Sequence, residues 1–186
     1  MTLHSAIHQA IGDKDFVLAT DLDGTFLGGS ADAREALYNF IEDNRDTIGL
    51  IFVTGRHTDF VHDHTDTYGI LLPDYVIADV GTTIAQVLSP GIVLPVPALE
   101  APIAQAWAGK ADQVQALMAN VDGLTLQDTP FRHRLSYDIS PNGFDATDLA
   151  PVRELDVDVL IWSLRDLCGL MGSDASAAIP DVVVGT

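Results

Sequence analysis

The chain has 186 residues, 47% of them apolar, enough for one ordinary domain or a core with a modest insert, and this excludes wholesale disorder. Nine Lys and Arg stand against 27 Asp and Glu, a formal charge of −18 that argues against nucleic acid and anionic membrane surfaces as partners. The single cysteine, Cys168, excludes an intramolecular disulfide and a cysteine-based zinc site.

Residues 1–15 are polar, with room for a short helix, and carry no basic start or long apolar stretch of the signal-peptide kind. With no run of transmembrane length, the expectation is a soluble cytoplasmic protein. Phe16-Val17-Leu18-Ala19-Thr20 then reads as a buried parallel strand that runs straight into Asp21-Leu22-Asp23-Gly24-Thr25. Ligands of open α/β sheets bind beyond the carboxyl ends of strands, and residues i and i+2 of an extended chain point the same way. Asp21 and Asp23 would therefore share the mouth of a site. Two crowded carboxylates are costly without a cation or proton between them, and a hard ion such as Mg2+ suits them. Gly24 allows a tight turn, and Thr25 offers a hydroxyl and an N–H to an anion. Asp and Gly are also ordinary turn residues; the strand in front of them sets this pattern apart. Asp-Leu-Asp-Gly-Thr after such a strand resembles motif I of the haloacid dehalogenase (HAD) superfamily of phosphatases. The resemblance implies Asp21 as nucleophile, Asp23 as acid and base, and backbone N–H groups from Leu22 to Gly24 as phosphate donors.

Asp32 and Glu35 have capping-box spacing, and Ala33, Ala36, Leu37, Phe40 and Ile41 recur with helical period, so a helix is expected over 32–44. Ile48–Val53 is the next buried strand, and strand–helix–strand implies a parallel sheet. It ends in Thr54-Gly55-Arg56. Thr54 is thereby placed at a strand end beside Asp21, where its hydroxyl can bind a phosphate oxygen while Gly55 gives the backbone room. Ile-Phe-Val-Thr-Gly-Arg is similar to HAD motif II. A helix is expected over His57–Tyr68, with Gly69 as its C-cap. His62 and His64 are not neighbours on a helix face, so that stretch reads as a solvated acidic face rather than a metal site. Val76–Val80 is a third strand, followed by Gly81 and a hairpin. Leu72 to Ile84 narrows the resemblance to the sucrose-phosphate-phosphatase-like branch, where such a segment leaves the core and enters the cap.

Prolines 90, 95, 97 and 102 punctuate an expected connector. Leu99–Val121 follows as a helix broken near Gly109, with Ile103, Ala106, Trp107, Val114, Leu117 and Met118 facing a core. Leu124–Gln127 is a short strand. Arg134–Ser140 alternates, Leu135, Tyr137 and Ile139 on one face and Arg134, Ser136 and Asp138 on the other. A short helix over Asp145–Leu155 and a strand over Val157–Trp162 complete a small α/β cap. Arg132-His133-Arg134 is the dense basic cluster of an acidic chain. It reads either as solvated charge or as a face that overhangs the active site and binds sugar hydroxyls or phosphate. The resemblance to the family's cap strand favours Arg134, then Arg132, as substrate contacts.

The expected architecture is α/β: a three-layer, Rossmann-like HAD core over 1–89, a cap over 90–162, and an incomplete return over 163–186. The family's remaining parts are a lysine and a second acidic motif. No lysine follows Lys110, and Gly172-Ser173-Asp174 resembles the acidic motif only faintly, leaving Asp174 a weak metal ligand. The resemblance thus covers about 16–162. It implies a Mg2+-dependent phosphomonoester hydrolase acting on a sugar phosphate through an aspartyl phosphate, with weak metal affinity and little turnover from these residues alone. The alternative is a non-catalytic HAD remnant that binds metal, phosphate or a partner chain, and a receiver domain is a distant third. A core of three strands would also leave a sheet edge open to oligomerisation.

Overall fold

Two strands rich in β-branched and large apolar residues start the first sheet. Strand β1 (Phe16–Asp21) pairs in parallel with β2 (Ile48–Val53), Phe16 opposite Ile48 and Asp21 opposite Val53. The computed structural model describes residues 11–61, 69–129, 131–140, 144–155, 157–162 and 181–185. Helix α1 (Ala31–Asp43) connects the two strands. Strand β3 (Tyr75–Ala78) adds in parallel to β2, and β4 (Thr83–Ser89) and β5 (Ile92–Pro95) extend the sheet antiparallel, in the order β1-β2-β3-β4-β5. The expected three-strand core is thus a five-stranded mixed sheet, and the segment read as a proline-rich connector contains β5.

Burial follows position in this sheet. Central β2 buries Leu50 and Phe52, and β3 buries Val76, each side chain contributing about 1.5–3 kcal/mol relative to exposure. Strand β1, expected to be buried, is an edge among the described residues. It has one neighbour, so Phe16 stays 57% exposed and Val17 40%. Helix α1 starts one residue before its expected boundary. Its N-cap is Ser30, whose Oγ accepts the Ala33 N–H, in place of the expected Asp32–Glu35 capping box. Its apolar face is also wider than the cover it receives: Ile41 is buried and Tyr38 packs on the core, while Leu37 and Phe40 face solvent. Asp74 ties the start of β3 to β2. Its Oδ2 accepts the Leu50 N–H at 2.7 Å and an Arg45 N–H at 3.3 Å, and its own N–H donates to the Leu50 carbonyl. The expected helix over His57–Tyr68 lies outside the described residues from 62 to 68.

The chain divides into two compact units, Met1–Val96 and Pro97–Thr186. The second opens with helices α2 (Pro97–Trp107) and α3 (Ala111–Met118), separated at Gly109, which sits at φ +75° as the expected break requires. Trp107, Val114 and Met118 are buried in that unit's own core, as the apolar stripe implies. Strands β6 (Leu124–Leu126), β7 (Arg134–Ile139), β8 (Asp158–Trp162) and β9 (Asp181–Gly185) form an antiparallel sheet in the order β6-β7-β9-β8, and helix α4 (Ala150–Arg153) precedes β8. The last strand therefore joins the second unit. The division falls at Val96/Pro97 rather than 89/90, and no return of 163–186 to the first sheet is seen among the described residues. None of the described helices is long and apolar enough to cross a membrane.

Candidate active site

The turn after β1 is amphipathic in one step. Leu22 and Phe26 are buried and anchor its two ends, whereas Asp23, Gly24 and Thr25 face solvent. The Leu27 N–H closes the turn on the Leu22 carbonyl at 2.9 Å. Gly24 takes φ +75°, which a side chain would resist. Gly28 is needed for a different reason: a Cβ there would lie 2.4 Å from the Gly24 carbonyl oxygen. Beneath the turn, Phe26 stacks on Tyr38 with centroids 4.8 Å apart and tilts against Phe52 at 5.1 Å. The Tyr38 hydroxyl donates to the Phe26 carbonyl at 3.0 Å; burial pushes its pKa up, against the lowering influence of Arg34.

The polar atoms of this platform are aimed by short contacts. The Thr25 hydroxyl, expected to be offered to an anion, donates to Asp21 Oδ2 at 3.2 Å and so orients that carboxylate. Thr54 follows Val53, the register partner of Asp21, and the two residues thus stand at adjacent carboxyl ends of parallel strands. Thr54 is buried, and its Oγ1 accepts the Arg56 N–H at 3.2 Å, leaving the hydroxyl proton to donate. Gly55 is half-buried in the same loop. In the sequence Arg56 stands out only as part of this motif. In the structure its Nε and Nη2 donate to Asp23 Oδ2 and Oδ1 at 2.8 and 2.5 Å, and its guanidinium lies 4.4 Å from the centre of the Phe60 ring. Arg56 is separated from Asp23 by 33 positions, and no local spacing signals such a pair.

The basic cluster is resolved into two unlike arginines within the second unit. Arg134, expected on an open polar face, is 5% exposed. Its Nη1 donates to Ser136 Oγ at 2.6 Å and its guanidinium covers the Phe131 ring at 3.7 Å. On the same face of β7, Ser136 is buried too and Asp138 is half-buried. Arg132 keeps 40% of its side chain exposed and pairs with the buried Glu100, which also lies 3.8 Å from His133 Nε2.

Asp21 and Asp23 supply oxygen donors of the kind Mg2+ takes, but the Asp23 carboxylate is held by Arg56. The fitting donors are therefore an Asp21 carboxylate oxygen and the Asp23 backbone carbonyl, with water and phosphate oxygens for the rest. Among the described residues no group of three or more His, Cys, Asp or Glu could enclose a metal ion. Asp174, the weak third ligand, lies outside them.

A family model described as sucrose-6F-phosphate phosphohydrolase matches residues 14–171. The chain belongs to the sucrose-6F-phosphate phosphohydrolase family. This member is also similar to the glucosylglycerol-phosphate synthase of Pseudomonas anguilliseptica, 33% identical over 152 residues that make up 81% of this chain and 19% of that protein. Its fold resembles the X-ray structure of the sucrose-phosphatase from Synechocystis in complex with sucrose and phosphate. The TM-score is 0.67 at 22% identity, over 92% of this chain and 64% of that one. It also resembles a haloacid dehalogenase-like hydrolase protein from Bacillus subtilis, with a TM-score of 0.53 at 15% identity, over 92% and 65%. The α/β fold of HAD type and the sucrose-phosphatase-like branch are as the motifs implied. This family member spans less than two thirds of any of these three proteins.

Proposed function

We propose that this chain carries the nucleophile and the acid–base group of a Mg2+-dependent phosphomonoester hydrolase whose substrate is a sugar phosphate. The observation that supports this reading best is the meeting of Asp21, Asp23 and Thr54 at neighbouring carboxyl ends of β1 and β2, on a turn whose apolar ends are fixed in the core. An Asp21 oxygen attacks phosphorus, and the ester P–O bond breaks as Asp23 gives its proton to the leaving oxygen. Asp23 then takes a proton from water as that water attacks phosphorus. The bond to Asp21 breaks, releasing phosphate and restoring both carboxyl groups. The Thr54 hydroxyl and the N–H groups from Leu22 to Gly24 hold the phosphoryl oxygens. Asp21 and the Asp23 carbonyl would hold Mg2+, which would supply charge neutralisation there. In a chain of formal charge −18, Arg56 brings a positive group onto this platform. In the second unit, Arg132 has the exposed donors that suit sugar hydroxyls, whereas the buried Arg134 shapes β7 from within.

A second reading, binding of phosphate or metal without turnover, is favoured by the two-carboxylate donor set and by the engagement of Asp23 with Arg56. Acid-quenched trapping separates the two. Incubation with a labelled phosphate ester and Mg2+ should leave label on the wild-type chain and none on Asp21→Asn. Binding of inorganic phosphate without any trapped label would favour the second reading, and label that persists in Asp21→Asn would overturn the role of Asp21.

A further inference from the structure

Strand β3 runs extended to Ala78, and the chain then leaves strand geometry for two residues. Asp79 sits at φ +54° and Val80 at φ +58°, both in the left-handed region, and neither is glycine. A β-branched side chain in that region is an outlier. What the conformation achieves is visible in the hydrogen bonds. Successive N–H groups of an extended strand point to opposite edges, but here two consecutive ones turn to the same loop. The Asp79 N–H donates to the Arg56 carbonyl at 2.9 Å and the Val80 N–H to the Thr54 carbonyl at 3.3 Å. With the Thr54 N–H on the Ile77 carbonyl at 2.9 Å, the segment Thr54-Gly55-Arg56 is held at both ends.

The turn is itself locked from below. Asp79 is 1% exposed and its Oδ2 accepts the Thr83 hydroxyl at 2.6 Å. Its carbonyl accepts the Thr82 hydroxyl at 2.9 Å and the Thr82 N–H at 3.2 Å, and both threonines are buried. Phosphoryl transfer by Asp21, Asp23 and Thr54 leaves Asp79 without a chemical step. Non-glycine residues persist in such conformations only where their surroundings over-determine them, and they cluster at active sites.

We propose that the left-handed Asp79–Val80 turn is the positioning element of the site: it sets the Thr54 hydroxyl and, through the Arg56 backbone, the guanidinium fork on Asp23. Its catalytic consequence rests on the phosphatase reading above; its effect on Arg56 does not. The test uses the full chain labelled with nitrogen-15 and three variants. Asp79→Ala removes the carboxylate and the residue type that tolerates positive φ. Asp79→Asn keeps the tolerance and an acceptor for Thr83. Thr83→Val removes the hydroxyl with little change of shape. Each is read by the water exchange of the Arg56 Nε–H resonance and by kcat and KM on a phosphate ester with Mg2+.

In Asp79→Ala the slowed Nε–H exchange should be lost and kcat should fall about 10- to 100-fold, with KM little changed, as expected of a misplaced reacting group. Asp79→Asn should retain both, and Thr83→Val should fall between. A folded Asp79→Ala with unchanged exchange and kcat would overturn the proposal. If Asp79→Ala does not fold, unchanged exchange in Thr83→Val overturns it instead. Absence of turnover in the wild type counts against the phosphatase reading, and the Arg56 resonance then decides the role of the turn.

Discussion

Both oxygens of the Asp23 carboxylate accept from Arg56, and in the proposed acid–base role Asp23 would exchange one donor of that fork for the leaving-group oxygen. A lysine could not substitute, since an ammonium lacks the two parallel donors that match a carboxylate. The residue scale is also where the sequence was least legible. Asp21, Asp23 and Thr54 announce themselves by standing at the ends of apolar runs. The partner of Asp23 and the burial of Arg134 depend on contacts far along the chain or on neighbouring strands. Tyr137 shows the same contrast: alternation in β7 marks it as a core residue, but not that its hydroxyl is buried with no hydrogen-bond partner among the described residues. Burial pushes its pKa from 10.0 up to about 12. A raised folded-state pKa means that the native chain holds the proton more tightly than the unfolded one. That contribution to stability is complete below pH 10 and fades as pH rises through about 12. Tyr137→Phe removes both the orphaned donor and the titration. It should raise stability by about 1–3 kcal/mol at neutral pH, and the alkaline loss should flatten; denaturant titrations across that pH range measure both.

The turn from Leu22 to Phe26 is the element on which the site depends, and its shape is set by close backbone approach as much as by hydrogen bonds. At Gly28 a Cβ would meet Gly24 oxygen at 2.4 Å and Gly24 carbon at 2.8 Å, backbone atoms that cannot swing aside. Gly28→Ala should therefore push the turn off its anchors, at a cost of about 1–3 kcal/mol typical of overpacking, and should weaken phosphate binding. Chemical denaturation and phosphate titration of the variant check the two effects. Element types were largely legible because the apolar periods of 2 and 3.6 are local. Their neighbours were not. Nothing in Asp181–Gly185 says that it inserts between β7 and β8, and β1 reads as buried although the described sheet gives it one neighbour. The Ser30 cap was missed because the Asp32–Glu35 spacing mimics a capping box two residues later.

At the scale of the whole molecule, an acidic chain leaves large apolar side chains of its first unit in solvent, Phe16 and Val17 on β1 and Leu37 and Phe40 on α1. The expectation of an open edge rested on a three-strand core; the described sheet has five strands, with β1 at one end of their order. The division into two units has a separate optical consequence. Both tryptophans, Trp107 and Trp162, lie in Pro97–Thr186, and Trp107 is 5% exposed. Tyr38, Tyr68 and Tyr75 are the brightest chromophores that Met1–Val96 possesses. Tryptophan emission therefore originates in the second unit alone, while far-ultraviolet ellipticity sees both. Heating Gly28→Ala should shift part of the ellipticity curve to lower temperature and leave the tryptophan midpoint where it stands in the wild type. Equal shifts in the two signals would mean that the units melt as a single cooperative block.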